Sequence, residues 1–401
     1  MKKVKALIST ISPDKGGVPA MCEAIAKYLI DLDIEPVFAW YEPWSLNKDL
    51  SVTFKDFIVG KRISFLRRRV FGFEGIGIGC YFPELEFTQY WQTFIWKNLI
   101  RECDIHICVG GNNLSALHFS NLNQPFLAWI ATSFEADRLD RLKTLDLKRK
   151  IIYKLIQRPA LKFFEKKILD NEFGNILALS KYTKKELNSI SKRNINKVLR
   201  MSIDVKNFKS CSKNVKQWTI GFSGRLSDPR KNINLLIEVI YELAKKNYSI
   251  ELHLIGVSND KKLLRKIKNL GLEKYVKFFS YMDKKKLASF LQKLDVYVIP
   301  SLQEGLCIAG MEAMACGCPV ITTRCGGPEE FVFSEFNGYV VSYEVKEICE
   351  KIIDICSDRN FRDKLSKNGI KWINENSIFK VNKELFLKEI LFTFPQLNFK
   401  Y

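Results

Sequence analysis

The chain has 401 residues, with 64 Lys+Arg against 44 Asp+Glu and a net charge of +20, so its partner is expected to be anionic: nucleic acid, an acidic membrane or a phosphate-bearing substrate. A hydrophobic fraction of 47% excludes a disordered polycation and suffices for two cores of roughly 200 residues each. No apolar run approaches the roughly 18 residues that a membrane-crossing helix needs.

The start, MKKVKALISTISPDKGG, is charged like a signal peptide, but its apolar run over 6–11 is too short and no cleavage site follows. Residues 4–9 read as a strand, Ser12-Pro13-Asp14-Lys15-Gly16-Gly17 as a loop, 18–32 as an amphipathic helix and 34–40 as a second strand. The loop lacks the second half of G-x-G-x-x-G and is no dinucleotide fingerprint. From 41 to 102 the periodicity weakens while aromatics gather (Trp44, Phe71, Phe73, Tyr81, Phe82, Tyr90, Trp91, Trp96) beside Arg67-Arg68-Arg69. That mixture suits either core or a membrane-facing surface. Strands follow at 104–109, before Gly110-Gly111-Asn112-Asn113, and at 126–131, before Thr132-Ser133-Phe134-Glu135-Ala136-Asp137.

Residues 138–169 are strongly basic, and Ile151, Ile152, Leu155 and Ile156 share a helical face that Pro159 is expected to break. Such a helix lies on anionic lipid or packs on the protein surface. The second half opens with a strand at 218–223, the loop Gly224-Arg225-Leu226-Ser227-Asp228-Pro229-Arg230-Lys231-Asn232, and a helix over 233–246. Arg225 and Lys231, with Arg230 competing for the second role, can converge with a helix N-terminus on phosphate; a solvated basic loop is the plain alternative. Strands at 250–256, where His253 reads as a core residue, and 276–279 lead to the most informative stretch.

That stretch is LDVYVIPSLQEGLCIAGMEAMACGCPVITTRCGGPEEF, residues 294–331. A buried strand at 296–299 ends at Pro300; Ser301, Gln303, Glu304 and Gly305 form a loop; 308–315 is a short helix closed by Gly317. A strand at 319–323, the loop Gly326-Gly327-Pro328 and a short helix from Glu329 complete it. If the chain between Glu304 and Glu312 is mostly helical, the two carboxylates stand roughly 12 Å apart. Glycosidase pairs stand about 5–5.5 or 6.5–9.5 Å apart, so the spacing suits one extended ligand instead: a reacting group at Glu304, a diphosphate over the helix N-terminus and a ribose at Glu312. That ligand is a nucleotide sugar. Cys307, Cys316, Cys318 and Cys325 lack paired zinc spacing, and eleven cysteines without an export signal read as reduced thiols.

Glu304-Gly305, Glu312-Ala313-Met314-Ala315, Gly317, Pro319-Val320-Ile321 and Gly326-Gly327 together resemble the Glu-x7-Glu signature of family 4 (group 1) retaining glycosyltransferases. The resemblance implies the α/β GT-B fold: two Rossmann-like doubly wound domains facing a deep cleft. Residues 1–204 would be the acceptor domain, 205–380 the nucleotide-sugar domain, and 381–401 a helix returning to the first. The stretch 175–180 matches the last strand of the first domain, and Ser280-Tyr281-Met282 falls where backbone meets the base.

The implied reaction moves a sugar from a UDP- or GDP-type donor to a saccharide or lipid-linked hydroxyl with retention, in bacterial surface polysaccharide or lipopolysaccharide synthesis. Neither a cofactor nor a metal is expected. Glu304 would contact the sugar and stabilise positive character at its anomeric carbon; Arg225 and Lys231 would hold the diphosphate; Glu312 would bind ribose. Gly305, Leu306 and Cys307 join the donor-binding set, and Glu330 caps its loop or touches the donor. Gly16 and Gly17 match a pair across from the donor. Many relatives carry a His near 132–137; this chain does not, leaving Thr132, Ser133, Glu135 or Asp137 for those contacts. The expected place is the cytoplasm, at the inner membrane face if the basic surface binds lipid. A sugar-nucleotide epimerase of the same fold would need acid/base groups in the His-poor loops of the first domain, and a nucleic-acid-binding protein would not explain the spaced carboxylates.

Overall fold

Strands whose side chains are buried at consecutive rather than alternate positions need cover on both faces, which helices between parallel strands provide. The run Val296–Ile299, buried at every position, and Ile105–Gly110, likewise buried, show the pattern. The computed structural model describes residues 3–12, 17–138, 146–205, 217–256, 260–377 and 379–397. By its contacts the chain divides into two units, Met1–Met201 with Asn382–Tyr401, and Ser202–Val381.

The first unit has eight strands: β1 Lys5–Thr10, β2 Glu35–Tyr41, β3 Phe65–Val70, β4 Phe73–Ile78, β5 Ile105–Gly110, β6 Phe126–Ile130, β7 Gly174–Ala178 and β8 Lys197–Val198. Its helices are α1 Gly17–Ile30, α2 Phe54–Ile58, α3 Phe94–Glu102, α4 Leu117–Ser120, α5 Phe134–Arg138, α6 Leu147–Ile152, α7 Arg158–Leu169 and α8 Lys181–Asn188. The sheet order is β3-β4-β2-β1-β5-β6-β7-β8, parallel except for the β3–β4 pair. That hairpin falls where the sequence shows only weak periodicity. Its two-residue turn has positive φ at both Phe71 (55°) and Gly72 (87°), the geometry that fits hairpin twist, with Phe where Asn or Gly is usual. The Arg triplet lies on β3, an edge strand, where charge discourages pairing with other chains; Arg67 pairs with Glu74 at 2.9 Å and Arg68 stacks over Trp40.

Pro159 does not break the basic helix. A π turn, Tyr153–Gln157, joins α6 to α7 just ahead of Pro159, and the wider turn takes up the proline ring and its missing N–H without ending the helix.

The second unit is a six-stranded, wholly parallel sheet: β9 Trp218–Ser223, β10 Ile250–Ile255, β11 Val276–Phe279, β12 Val296–Ile299, β13 Val320–Thr323 and β14 Gly338–Val341, in the order β11-β10-β9-β12-β13-β14. Around it stand α9 Ile233–Lys245, α10 Lys261–Asn269, α11 Lys284–Leu291, α12 Ile308–Ala315, α13 Val345–Ser357 and α14 Arg359–Asn376. Ile220, Phe222, Leu236, Ile240, Leu252 and Val298 centre its core. The helix expected from Glu329 is instead one 3-10 turn, Gly327–Glu330, which ends where the Phe331 side chain buries.

The last helix, α15 Phe379–Thr393, anchors to the first unit. Phe386 packs on Tyr28, with ring centroids 5.3 Å apart, and the Asn175 side-chain amide donates to Glu389 Oε2 and to Thr393 Oγ1, each at 2.9 Å.

Each sheet starts at a central strand and reverses direction beside it, between β1 and β5 and between β9 and β12. Ligands of open α/β sheets gather at the carboxyl ends of the strands flanking such a reversal.

Candidate active site

In the second unit the loops that leave β9 and β12 hold the predicted charges. Asp228 caps the 3-10 turn Pro229–Lys231, accepting the Arg230 N–H at 3.2 Å. The Arg230 guanidinium folds back onto Asp228 (Nε–Oδ1 3.2 Å, Nη2–Oδ2 2.9 Å), reaches Gln303 Oε1 at 3.4 Å, and its carbonyl accepts the Leu302 N–H at 2.7 Å. Arg230, 7% exposed, is thus a strut between the two loops, with its guanidinium engaged by Asp228 and Gln303. Burial opposes charge on Asp228, but Arg230 and Arg225 outweigh it and hold the carboxyl at about 2. Asn232 takes a left-handed φ of 48° and turns the chain into α9.

Lys231 extends to the second loop, where its Nζ donates to Glu304 Oε1 at 2.6 Å. Burial disfavours the Lys231 ammonium, but attraction to Glu304 prevails and its pKa is raised. Ser301 Oγ donates to the same Oε1 at 2.7 Å. The Glu304 backbone is fixed as well: its N–H donates to the Cys325 carbonyl at 2.8 Å and its carbonyl accepts the Gly327 N–H at 2.9 Å. A Cβ on Gly327 would meet the Gly305 carbonyl oxygen at 2.2 Å, so glycine here is a condition for the two loops to touch.

Leu306 is buried, and Cys307, at φ 65° and ψ 70°, turns the chain into α12 without a side-chain cap. The first-turn N–H groups of such a helix favour anions. The premise that 304–312 is mostly helical fails. The Glu304 bridge to Gly326 and the left-handed Cys307 keep 304–307 out of the helix, leaving four of the eight steps, about 6 Å of rise, to α12. Glu312 stands half-buried on α12, its carboxyl pushed up to about 7 by burial with Lys284 opposing. Arg225 is more exposed, 3.0 Å from Asp228. Glu329, not Glu330, closes the glycine loop, accepting the Gly326 N–H at 2.9 Å; Glu330 ends the turn, half-buried.

In the first unit Gly16 lies outside the described residues, and Gly17 is the exposed first residue of α1. Ser133 is buried, its Oγ accepting the Ala136 N–H of α5 at 3.2 Å. Thr132 Oγ1 donates to Glu186 at 3.4 Å, and Glu135 is held by Arg158 through two bonds of 2.9 and 2.7 Å. Glu165, which the sequence reading missed, reaches the start of α5 from below: Oε1 accepts the Phe134 N–H at 2.7 Å, and burial lifts its carboxyl to about 7. His118 stacks on Trp96 at 3.9 Å and burial pushes it down to about 3, which keeps it neutral; His253 bonds Glu251 at 2.9 Å. Among the described residues no group of His, Cys, Asp and Glu is arranged to hold a metal. Ser301 and Gln303 also escaped the sequence as site residues, although Ser301 stands three residues before Glu304 on a tight loop.

Residues 204–372 match the family model of glycosyl transferases group 1. An uncharacterized glycosyltransferase of Methanocaldococcus jannaschii is 32% identical over 145 residues, 35% of this chain and 39% of that protein. The capsular polysaccharide biosynthesis glycosyltransferase CapM of Staphylococcus aureus is 28% identical over 155 residues, 38% of this chain and 40% of that protein. The matched stretch therefore spans about two fifths of these relatives. Among solved structures, sucrose-phosphate synthase of Thermosynechococcus elongatus superposes with a TM-score of 0.77 at 17% identity, covering 99% of this chain and 100% of that one. HepE of Anabaena, solved with UDP-glucose, gives 0.71 at 17% identity, covering 98% and 100%. Residues 204–372 are thus a group 1 glycosyl transferase domain, carried in a chain with the GT-B fold.

Proposed function

We propose that the chain transfers a sugar from a nucleotide-sugar donor to a hydroxyl acceptor with retention of anomeric configuration. The observation that carries this reading is the buried Lys231–Glu304 pair at the reversal between β9 and β12, joined by Ser301 on one carboxylate oxygen. Glycosyl transfer develops positive charge at the anomeric carbon and negative charge on the departing diphosphate. A carboxylate and an ammonium, each largely buried, answer both, and such preorganised charges are commonly the largest single term in catalysis.

In this scheme Glu304 faces the sugar, Lys231 and Arg225 neutralise the diphosphate with help from the N-terminus of α12, and Glu312 accepts hydrogen bonds from ribose hydroxyls. Gly305, Leu306 and Cys307 shape the donor side, with Glu330 next to it. Gly17 and Ser133 belong to the acceptor side in this scheme, and two cations with a helix N-terminus would take the place of a metal at the diphosphate. HepE, of the same fold, was solved with UDP and with UDP-glucose, which favours a uridine donor here. CapM is named for capsular polysaccharide biosynthesis, which favours a saccharide or lipid-linked acceptor in surface polysaccharide assembly.

The test is a panel of UDP- and GDP-sugars, with release of nucleoside diphosphate and the anomeric proton of the product followed by NMR. One donor series should be consumed with the anomeric configuration kept, and Glu304→Gln should lower the rate by about 10²-fold or more. Inversion, or a Glu304→Gln protein as fast as wild type, would remove the assigned chemistry.

A further inference from the structure

The segment α6–α7 is apolar on two sides. One side is core: Tyr153 and Leu161 pack with Leu114 and Phe134, and Ile168 and Leu169 are fully covered. The other side carries Leu147, Ile151, Leu155, Ile156 and Phe163 at 75, 50, 72, 51 and 65% exposure. The spacing of 147, 151 and 155, and of 152 and 156, draws one stripe along a helix about 24 Å long from 147 to 163.

The charges along this segment have one sign. Residues 147–169 hold eight Lys and Arg against one carboxylate, Glu165, which is 1% exposed and turned to α5. Asp146, just before it, is spent as the N-cap of α6.

A second exposed apolar group lies in the same unit and is linked by ring contacts to the core side of this segment. On α2, Phe54, Phe57 and Ile58 are 52, 55 and 84% exposed, and Val59 just after it is 80% exposed. Phe54 stacks on Phe82 at 4.1 Å, Phe82 meets Trp91, Trp91 meets Phe87, and Phe87 packs against the cluster containing Tyr153.

We infer that the exposed stripe of α6–α7, with the aromatic group around α2, is a docking surface for an anionic lipid bilayer. An apolar stripe flanked by cations buries its side chains at the acyl boundary while the ammonium and guanidinium groups meet lipid phosphates. A second copy of the chain would bring eight cations against eight. A nucleic acid would meet the cations and stack on Phe163, but it would leave Leu147, Ile151, Leu155 and Ile156 without a partner surface.

The experiment is flotation with vesicles of phosphatidylcholine alone or with about 30 mol% phosphatidylglycerol, at about 0.1 M salt and without nucleotide. It therefore fails or succeeds independently of the donor chemistry. Wild type should float with the anionic vesicles and about tenfold less with neutral ones. The combined variant Ile151→Gln, Leu155→Gln, Ile156→Gln, all exposed positions, should keep its melting temperature and lose about tenfold or more of the binding. Three results would each overturn the inference: wild type that does not float; a triple variant that floats as well as wild type, which would mean adsorption by net charge alone; or a wild-type dimer, by light scattering, that the triple variant dissolves.

Discussion

The two units open the same way, with a central strand, a helix, and a reversal of strand order, yet the loops beyond their strands are tied differently. In the second unit the loops are fastened by ions: Asp228 by Arg230 and Glu304 by Lys231, all at least largely buried. In the first unit the loop after β6 carries a more exposed pair, Glu135 with Arg158, and the start of its helix is held by Glu165, whose carboxyl burial brings to about 7. The buried ion pairs keep their charges at neutral pH, whereas Glu165 changes its charge there. Outward, the contrast continues: the exposed apolar stripe belongs to the first unit.

The largest expected break of this comparison is Lys231→Ala, which strands the buried Glu304 carboxylate. Removing one partner of such a pair costs about 3–5 kcal/mol, and turnover should fall about 10²-fold or more. Denaturant melts with donor-turnover assays measure both, and a variant of normal stability and rate would show that the pair carries neither role. Next are opposite pH slopes. Asp228 is lowered from 3.8 to about 2, so its contribution is fully present above pH 4 and is lost as pH falls toward 2; the difference amounts to about 2 kcal/mol. Glu165 is raised from 4.5 to about 7, so the native state loses stability as pH climbs from 4.5 through 7, up to about 3 kcal/mol. Glu165→Gln should therefore raise the melting temperature at pH 8 and leave it nearly unchanged at pH 4, whereas Asp228→Asn should flatten the acid limb. Melting curves from about pH 2 to 8 decide; the same slope in both variants would erase the contrast.

Smaller effects separate donor binding from folding. Gly327→Ala and Gly110→Ala each drive a Cβ to 2.2 Å from a backbone oxygen, of Gly305 and Asn112 respectively. Both should destabilise by a few kcal/mol. Only Gly327→Ala should also weaken nucleotide affinity, by about tenfold, in a fluorescence or calorimetric titration. Equal affinity losses would mean that the glycine loops are scaffolding alike. The smallest effect is Arg67→Gln, an exposed pair with Glu74, expected within about 0.5 kcal/mol in the same melts.

The unbroken apolar run made the central strand at 296–299 legible in sequence, since it is buried at every position; 218–223 and 276–279 also coincide with observed strands, although Thr219, Gly221 and Lys277 interrupt them. The β3–β4 hairpin was not legible, because β4 carries Gly75 and Gly77, weak strand residues, and its turn begins with Phe71. Lys231 and Glu304 were chosen from their loops, but their mutual contact spans 73 residues and no local pattern reports it. Arg230 and Lys231 are neighbours of like chemistry, yet Arg230 turns to Asp228 and Gln303 while Lys231 reaches Glu304, a difference that the sequence does not show. Glu165 was hidden among lysines on a basic helix, where a single carboxylate passes for an ordinary solvated charge.

The most direct test of the central claim, that the loops after β9 and β12 bind the donor nucleotide, is titration of UDP into wild type, Arg225→Ala and Glu312→Ala, with the nucleotide-free melting temperature as control. Each variant should stay folded, with a nucleotide-free melting temperature shifted by only a few degrees, and should bind UDP about tenfold more weakly, consistent with one charge-assisted hydrogen bond removed. Two variants that bind UDP as tightly as wild type would place the nucleotide elsewhere and contradict it.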